Sequence, residues 1–284
     1  MANSFELETE YAGVNRFLQL FRLGNCIMGV VGLSVAAFIA SGTALVDSWM
    51  ELIIASISVV GFIAGGNALN DYIDRDVDKI AHPERPLPSG RMEPETALRV
   101  AATLFFAAFA VALFLNLTSI VIVALATALM LAYELKLKAS GLAGNVAIAL
   151  LTGGLFLLGG AVVGNIENTI AVAGMAMMVS LGREITKDIE DMDGDEGRNT
   201  LPMRIGKKDA GMVAALFFIL GSFSSMEPVI NGIFGVAYLP LVLVADAIFL
   251  YDSWILFKDP RRAQKLAKLG MMVALVAFIA GGIR

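Results

Sequence analysis

Long runs without Asp, Glu, Lys or Arg dominate this chain. They cover residues 23–46, 52–70, 100–133, 139–166 and 168–182, then 210–226, 228–245 and 269–283. A membrane-crossing helix needs about 20 such residues at about 1.5 Å of rise each. The run 100–133 is too long for one helix. It breaks at Asn116-Leu-Thr-Ser119, a turn-like cluster, so two helices are predicted there. The shorter runs reach spanning length once a flanking polar side chain snorkels to the interface. The pattern therefore predicts an all-α, polytopic membrane protein with nine transmembrane helices. It leaves no room for a separate soluble domain, so residues 1–284 read as a single membrane domain.

Composition supports this reading. The chain is 57% hydrophobic and only 17% charged, against about 25% charged in an ordinary soluble domain. So many apolar residues cannot fit inside one water-soluble core, and the bilayer is the natural solvent. The net charge of −5 says little, because charge in such a protein informs by location. One cysteine, Cys26, excludes an internal disulfide and a thiolate metal site, and one histidine, His82, excludes a multi-histidine centre. Glu6, Glu8 and Glu10 make the start of the chain acidic, unlike the basic start of a cleaved signal peptide.

Orientation follows from the basic residues. With the N-terminus in the cytoplasm, the inner segments are 1–22, 71–99, 134–138, 183–209 and 246–268. They hold 20 of the 21 Lys and Arg residues, leaving only Arg284 outside. The positive-inside rule thus predicts a cytoplasmic N-terminus, cytoplasmic polar loops and an outside C-terminus. The segment from Lys258 to Lys268 reads as a topology anchor facing lipid head groups.

Two acidic clusters stand out against this background. The second predicted helix ends in Asn67-Ala-Leu-Asn70-Asp71-Tyr-Ile-Asp74-Arg75-Asp76-Val-Asp78, which puts Asn70, Asp74 and Asp78 on one helical face. Asn67 sits one turn earlier. The sixth ends in Arg183-Glu184-Ile-Thr-Lys187-Asp188-Ile-Glu190-Asp191-Met-Asp193-Gly194-Asp195, with Asp188, Asp191 and Asp195 at helical spacing. Like charges one turn apart repel, and neither anchoring nor solubility asks for them. A divalent cation does. Oxygen donors without His or Cys point to Mg²⁺ or Mn²⁺, and two such clusters at one membrane face would clamp a pyrophosphate between metal ions. Arg22, Lys136 and Lys138 border the same mouth; each either takes charge from a departing diphosphate or anchors topology. The segment from Ala81 to Arg91, with three prolines, is a rigid, non-helical candidate lid.

The residues Asn70-Asp-Tyr-Ile-Asp-Arg-Asp-Val-Asp78, followed by Arg85-Pro-Leu-Pro-Ser-Gly90, resemble the first signature of the UbiA family of intramembrane prenyltransferases. The second cluster resembles that family's second Asp-rich motif. The resemblance covers essentially the whole chain and implies nine helices around a central cavity, capped by Asp-rich cytoplasmic loops. It implies Mg²⁺ (or Mn²⁺) holding a prenyl pyrophosphate whose tail lies among the helices. Carried onto this chain, the metal ligands are Asn70, Asp74 and Asp78, then Asp188, Asp191 and Asp195, with Asp71 nearby. Lys187 stands where many members carry an aspartate, which leaves open whether Asp188 or Glu190 ligates. The catalytic set is Asp74, Asp191, Lys136, Lys138 and Arg22; Asn67, Asn70, Arg85, Tyr133 and Lys187 contact substrate.

Within the family, the second motif is most like members that add a second geranylgeranyl chain to geranylgeranylglyceryl phosphate in archaeal ether-lipid synthesis. An aromatic acceptor, from a quinone, chlorophyll or haem pathway, is the alternative. The expected partners are a prenyl pyrophosphate, a lipid-like acceptor and membrane lipids, with no nucleic acid and no inferable protein partner. A cation transporter is the rival from another class. It would need acids near the bilayer midplane, and the charge-free runs predict no span with a central carboxylate.

Overall fold

The computed structural model describes residues 15–192 and 199–283, and every regular element among them is helical. The chain divides into two compact units. The first holds the described residues up to 31 together with 53–115; the second holds 32–52 and those from 116 onward.

The first unit begins with α1 (residues 15–21) and the opening turns of α2 (Leu23–Ser41). It continues with most of α3 (Trp49–Ile73), the short α4 (Arg75–Ala81) and α5 (Pro94–Ala112). Helices α3 and α5 meet through small residues. A Cβ added at Gly61 would lie 3.3 Å from the Leu104 carbonyl, and one at Gly65 would lie 3.3 Å from the Ala101 carbonyl. Ser58 Oγ donates to the Ala108 carbonyl at 2.9 Å across the same contact. In lipid, where apolar side chains gain little by meeting each other, close backbone approach and such hydrogen bonds hold helices together.

The second unit contains α6 (Leu117–Ala132), a π-helical turn (Tyr133–Leu137), α7 (Leu142–Val162), α8 (Glu167–Asp191) and α9 (Leu201–Ile205). It is completed by α10 (Lys207–Ser224), α11 (Glu227–Ile230), α12 (Tyr238–Ile255) and α13 (Pro260–Gly282). Helix α8 packs against α7, α10 and α13, and α12 packs against α10 and α13. The predicted break at Asn116 is a helix cap. Its Oδ1 accepts from Ser119 N at 2.9 Å, and its Nδ2 donates to the Ala161 carbonyl at 2.6 Å, satisfying groups that helix ends leave open.

At the contact of α7 with α2, a Cβ on Gly159 would lie 2.7 Å from the Leu33 carbonyl and 2.5 Å from Ala36 Cβ. Gly159→Ala is therefore expected to lower stability by about 1–3 kcal/mol through overpacking. Gly154→Ala, with nothing within 4 Å of the new carbon, leaves the thermal midpoint in detergent unchanged or raises it. Equal midpoints for the two variants would refute this account of the contact.

Seven stretches of the described residues are long and apolar enough to cross a membrane, against nine expected. Helices α2 and α3 are joined by a 3₁₀ segment, Gly42–Ser48, and form the single stretch Leu23–Ile73. Helix α8 is charged at both ends, with Glu167 in its first turn and a run of charges from Arg183. One span is displaced. The predicted helix 228–245 gives way to α11, a turn, and then α12, which continues ten residues beyond Ala245. As a result, Asp246 lies in the middle of an apolar helix, correcting the expectation that no span carries a central carboxylate. Asp252, further along α12, is fully buried, and neither of its carboxylate oxygens has a hydrogen-bond partner among the described residues.

Candidate functional site

The first acidic cluster is built where α3 ends. Its last turns carry Asn67, Asn70 and Asp71, and the helix breaks at Asp74, whose backbone sits at φ −83°, ψ 4°. The i→i−4 hydrogen bonds nevertheless run through the break. Asp74 N donates to the Asn70 carbonyl at 2.9 Å, and Asp78 N donates to the Asp74 carbonyl at 2.8 Å. The predicted alignment of Asn70, Asp74 and Asp78 survives the kink for that reason.

Opposite this face stands Arg22, in the turn between α1 and α2. It is the only non-glycine residue of the described chain with positive φ, at +50°. An L-residue there carries about 1–2 kcal/mol of strain. Asn67 supports the turn by donating from Nδ2 to the Phe21 carbonyl at 2.9 Å. The Arg22 guanidinium reaches the Asp71 carboxylate in a short contact and lies 3.3 Å from Asn70 Oδ1. Arg85, from the proline-rich segment, places Nη1 2.7 Å from Asp78 Oδ2 and 3.6 Å from Asp71 Oδ1.

Asp71 and Asp78 are both buried, at 1% and 4% exposure. Each is matched by an arginine, as buried carboxylates require. The pairing distinguishes the members of the cluster. Asp78, expected as a metal ligand, is held by Arg85, while Asp71, expected only to lie nearby, joins two arginines at the centre. Asn70 accepts from Arg22 and donates from Nδ2 to Asp74 Oδ2 at 3.3 Å, which fixes the orientation of its amide. Asp76 points away from this group and pairs with Lys79 at 2.8 Å. That hydrogen bond holds its carboxyl below the ordinary carboxylate range.

The second cluster rides on the end of α8. Glu184, Lys187, Asp188 and Asp191 fall at i, i+3, i+4 and i+7 and share a face, while Ile185 and Ile189 are buried in the core. Asp188 Oδ2 accepts from Asn145 Nδ2 of α7 at 2.7 Å. Glu190 turns instead towards α13, with Oε1 4.0 Å from Arg261 Nε. The geometry therefore places Asp188, and not Glu190, beside Asp191. Asp195 lies outside the described residues. The chain that follows the cluster is tied back at Gly141, where φ is +64° and a Cβ would lie 2.5 Å from the Asn199 carbonyl.

The flanking cations differ in their surroundings. Lys138 Nζ lies 3.3 Å from the buried Glu134 carboxylate within the π-turn that Tyr133 opens. Lys136 and Lys187 are exposed. Asn145 was not singled out from the sequence, although a lone amide in an apolar run was the available signal.

Each cluster offers oxygen donors only. Among the described residues, no three His, Cys, Asp or Glu side chains converge into a ready-made metal cage. Magnesium binds through one or two carboxylates and completes its shell with water and phosphate oxygens. Asn70 and Asp74 in one cluster and Asp188 and Asp191 in the other have the right chemistry for it.

The sequence profile of the UbiA prenyltransferase family matches residues 30–280. Digeranylgeranylglyceryl phosphate synthase of Pyrococcus furiosus is 38% identical over 276 residues, covering 95% of this chain and 98% of that one. The synthase of Methanothermobacter thermautotrophicus is 34% identical over 275 residues, covering 94% of this chain and 96% of its own. A solved structure of digeranylgeranylglyceryl phosphate synthase superposes with a TM-score of 0.82 at 32% identity, over 95% of this chain and 98% of that one. A UbiA homologue from Archaeoglobus fulgidus, bound to DMAPP and Mg²⁺, shares the fold with a TM-score of 0.67 at 16% identity. That alignment covers 93% of this chain and 99% of the homologue.

Proposed function

Because this chain belongs to the UbiA prenyltransferase family, we propose that it transfers a geranylgeranyl group from geranylgeranyl pyrophosphate to the free hydroxyl of geranylgeranylglyceryl phosphate. The product is digeranylgeranylglyceryl phosphate. The observation that carries this reading is the end-to-end likeness to relatives of that one activity, which extends through both acidic clusters. The protein is a multi-pass membrane enzyme. Its acidic clusters and N-terminus are assigned to the cytoplasmic side by the distribution of Lys and Arg.

In the reaction, the donor's C1–O bond breaks and its electron pair leaves with the pyrophosphate. The acceptor hydroxyl oxygen captures the allylic carbon and loses its proton to the departing pyrophosphate. Asn70, Asp74 and Asp78 of the first cluster and Asp188, Asp191 and Asp195 of the second are the residues assigned to hold Mg²⁺. When bound, the metal supplies positive charge where the leaving group becomes negative. Arg22 and Arg85 keep the first cluster's carboxylates aligned. Lys136 and Lys138 are assigned to the departing pyrophosphate, and Asn67 and Tyr133 to substrate contact. Exposed Lys187, beside Asp188, is assigned to the phosphate of the acceptor. The apolar helices shield the allylic cation from water, which would otherwise quench it.

Purified protein in detergent, given both substrates and Mg²⁺, is expected to form digeranylgeranylglyceryl phosphate detectable by mass spectrometry. Excess EDTA should stop turnover, and added Mg²⁺ should restore it, with Mn²⁺ as a substitute. Turnover that persists in EDTA would remove the metal from the reading. Efficient prenylation of 4-hydroxybenzoate, without the lipid product, would replace the acceptor by an aromatic one.

A further inference from the structure

Helices α7, α8, α10, α12 and α13 and the Ser225 turn line a partly open cavity of about 70 Å³ in the second unit. Its wall is mostly apolar, with Phe156, Met175, Val179 and Phe278 prominent; Asp246, Ser225, Thr152 and Tyr238 are its polar members, and Asp246 is the only acid among them. Ser225 Oγ donates to Asp246 Oδ2 at 2.7 Å, and the buried Tyr238 hydroxyl donates to the Ser225 carbonyl at 2.9 Å. The carboxylate is thus fixed in place, deep in an apolar helix where acidic groups are costly and mark function. Neither acidic cluster accounts for it. Asp252, the other acid on α12, does not line the cavity.

The position of the cavity is informative. On α8, Val179 precedes Asp188 by nine residues and Met175 precedes it by thirteen. At 1.5 Å per residue, the cavity therefore begins about 14 Å and ends about 20 Å along the helix from the second cluster. A chain of four isoprene units, anchored by its head at Asp188 and Asp191 and running along α8, brings its far end there. The volume suits the branched end of such a chain and not its whole length.

We propose that Asp246, held by Ser225, is the stop that sets how long a donor chain this enzyme accepts. The terminal isoprene of a C20 donor occupies the cavity, and a fifth unit would have to press hydrocarbon against the carboxylate. That contact strips the acid of polar surroundings and returns no hydrogen bond, so it is disfavoured. The proposal rests on the prenyl-transfer reading given above.

The test is a competition among C15, C20 and C25 prenyl pyrophosphates at a fixed acceptor, with the full chain in detergent and products resolved by mass spectrometry. Asp246→Ala should raise the C25-to-C20 product ratio at least tenfold, and Ser225→Ala should move it in the same direction. Asp246→Asn keeps a polar group of the same shape and should retain the native ratio. Ala176→Leu narrows the cavity from α8, leaves the polar pair in place, and should shift use towards C15. The last variant decides the matter if Asp246→Ala does not fold. Unchanged ratios across these variants overturn the proposal, as does a shift in acceptor chain length with none in donor length. The expected ratios obtained with an aromatic acceptor would support the stop and remove the acceptor assignment.

Discussion

Asp71→Ala is expected to destabilise the first unit by about 3–5 kcal/mol, the cost of removing one partner from a buried ion pair. Asp71 is almost inaccessible and is shared by Arg22 and Arg85. Without it, the Arg22 guanidinium loses its carboxylate partner and keeps the neutral Asn70 oxygen, and the strained turn at φ +50° loses one of the interactions that sustain it. Arg85 retains Asp78, so its position is less affected. The measurement is the thermal midpoint in detergent, alongside Asp76→Ala, whose exposed pair with Lys79 is worth little. Asp71→Asn should fall between the two, because the amide still accepts hydrogen bonds from arginine while losing its charge. An Asp71→Ala protein as stable as the Asp76→Ala protein would contradict the role of Asp71 as the central anion.

The second large effect concerns turnover with the fold preserved. Asp74→Asn and Asp191→Asn should each lower the rate by about a hundredfold or more, the scale of removing one preorganised electrostatic group from a reacting centre. Both residues are half-buried, and an amide keeps the shape of the carboxylate it replaces, so the thermal midpoints should stay near native. A wild-type rate in either variant would withdraw that residue from the metal-binding set. Reduced rates accompanied by collapsed midpoints would place it with Asp71, as a structural anion.

The sequence made much of this legible. Charge-free runs mark membrane helices because the bilayer interior tolerates so few charges, and the turn at Asn116 was visible because its residues cap helices. The i+4 spacing of Asn70, Asp74 and Asp78 was legible as well, since backbone hydrogen bonding carries it through the kink at Asp74. Pairing was not. Spacing says which side chains share a face, but Arg22 and Asp71, 49 positions apart in sequence, are brought together only by the fold. The same limit hid Arg85 on Asp78 and Asn145 on Asp188. Asp246 was misread for the opposite reason. A search for charge-free runs ends a span at its first acid, whereas α12 continues because Ser225 and the cavity give that acid a place.

The turn at Arg22 also constrains how this chain can drift. Its backbone favours glycine, while the carboxylate and amide before it call for a forked cation. Glycine would relax the turn and abolish the charge. Asparagine tolerates the left-handed backbone but leaves Asp71 to Arg85 alone. Lysine keeps the charge but not the planar fork that serves two acceptors, and it still bears the strain. On a mutational landscape, position 22 is a peak with no ridge leading from it. Change there must wait for compensating change at Asn70 or Asp71, so the three positions are bound to move together or not at all.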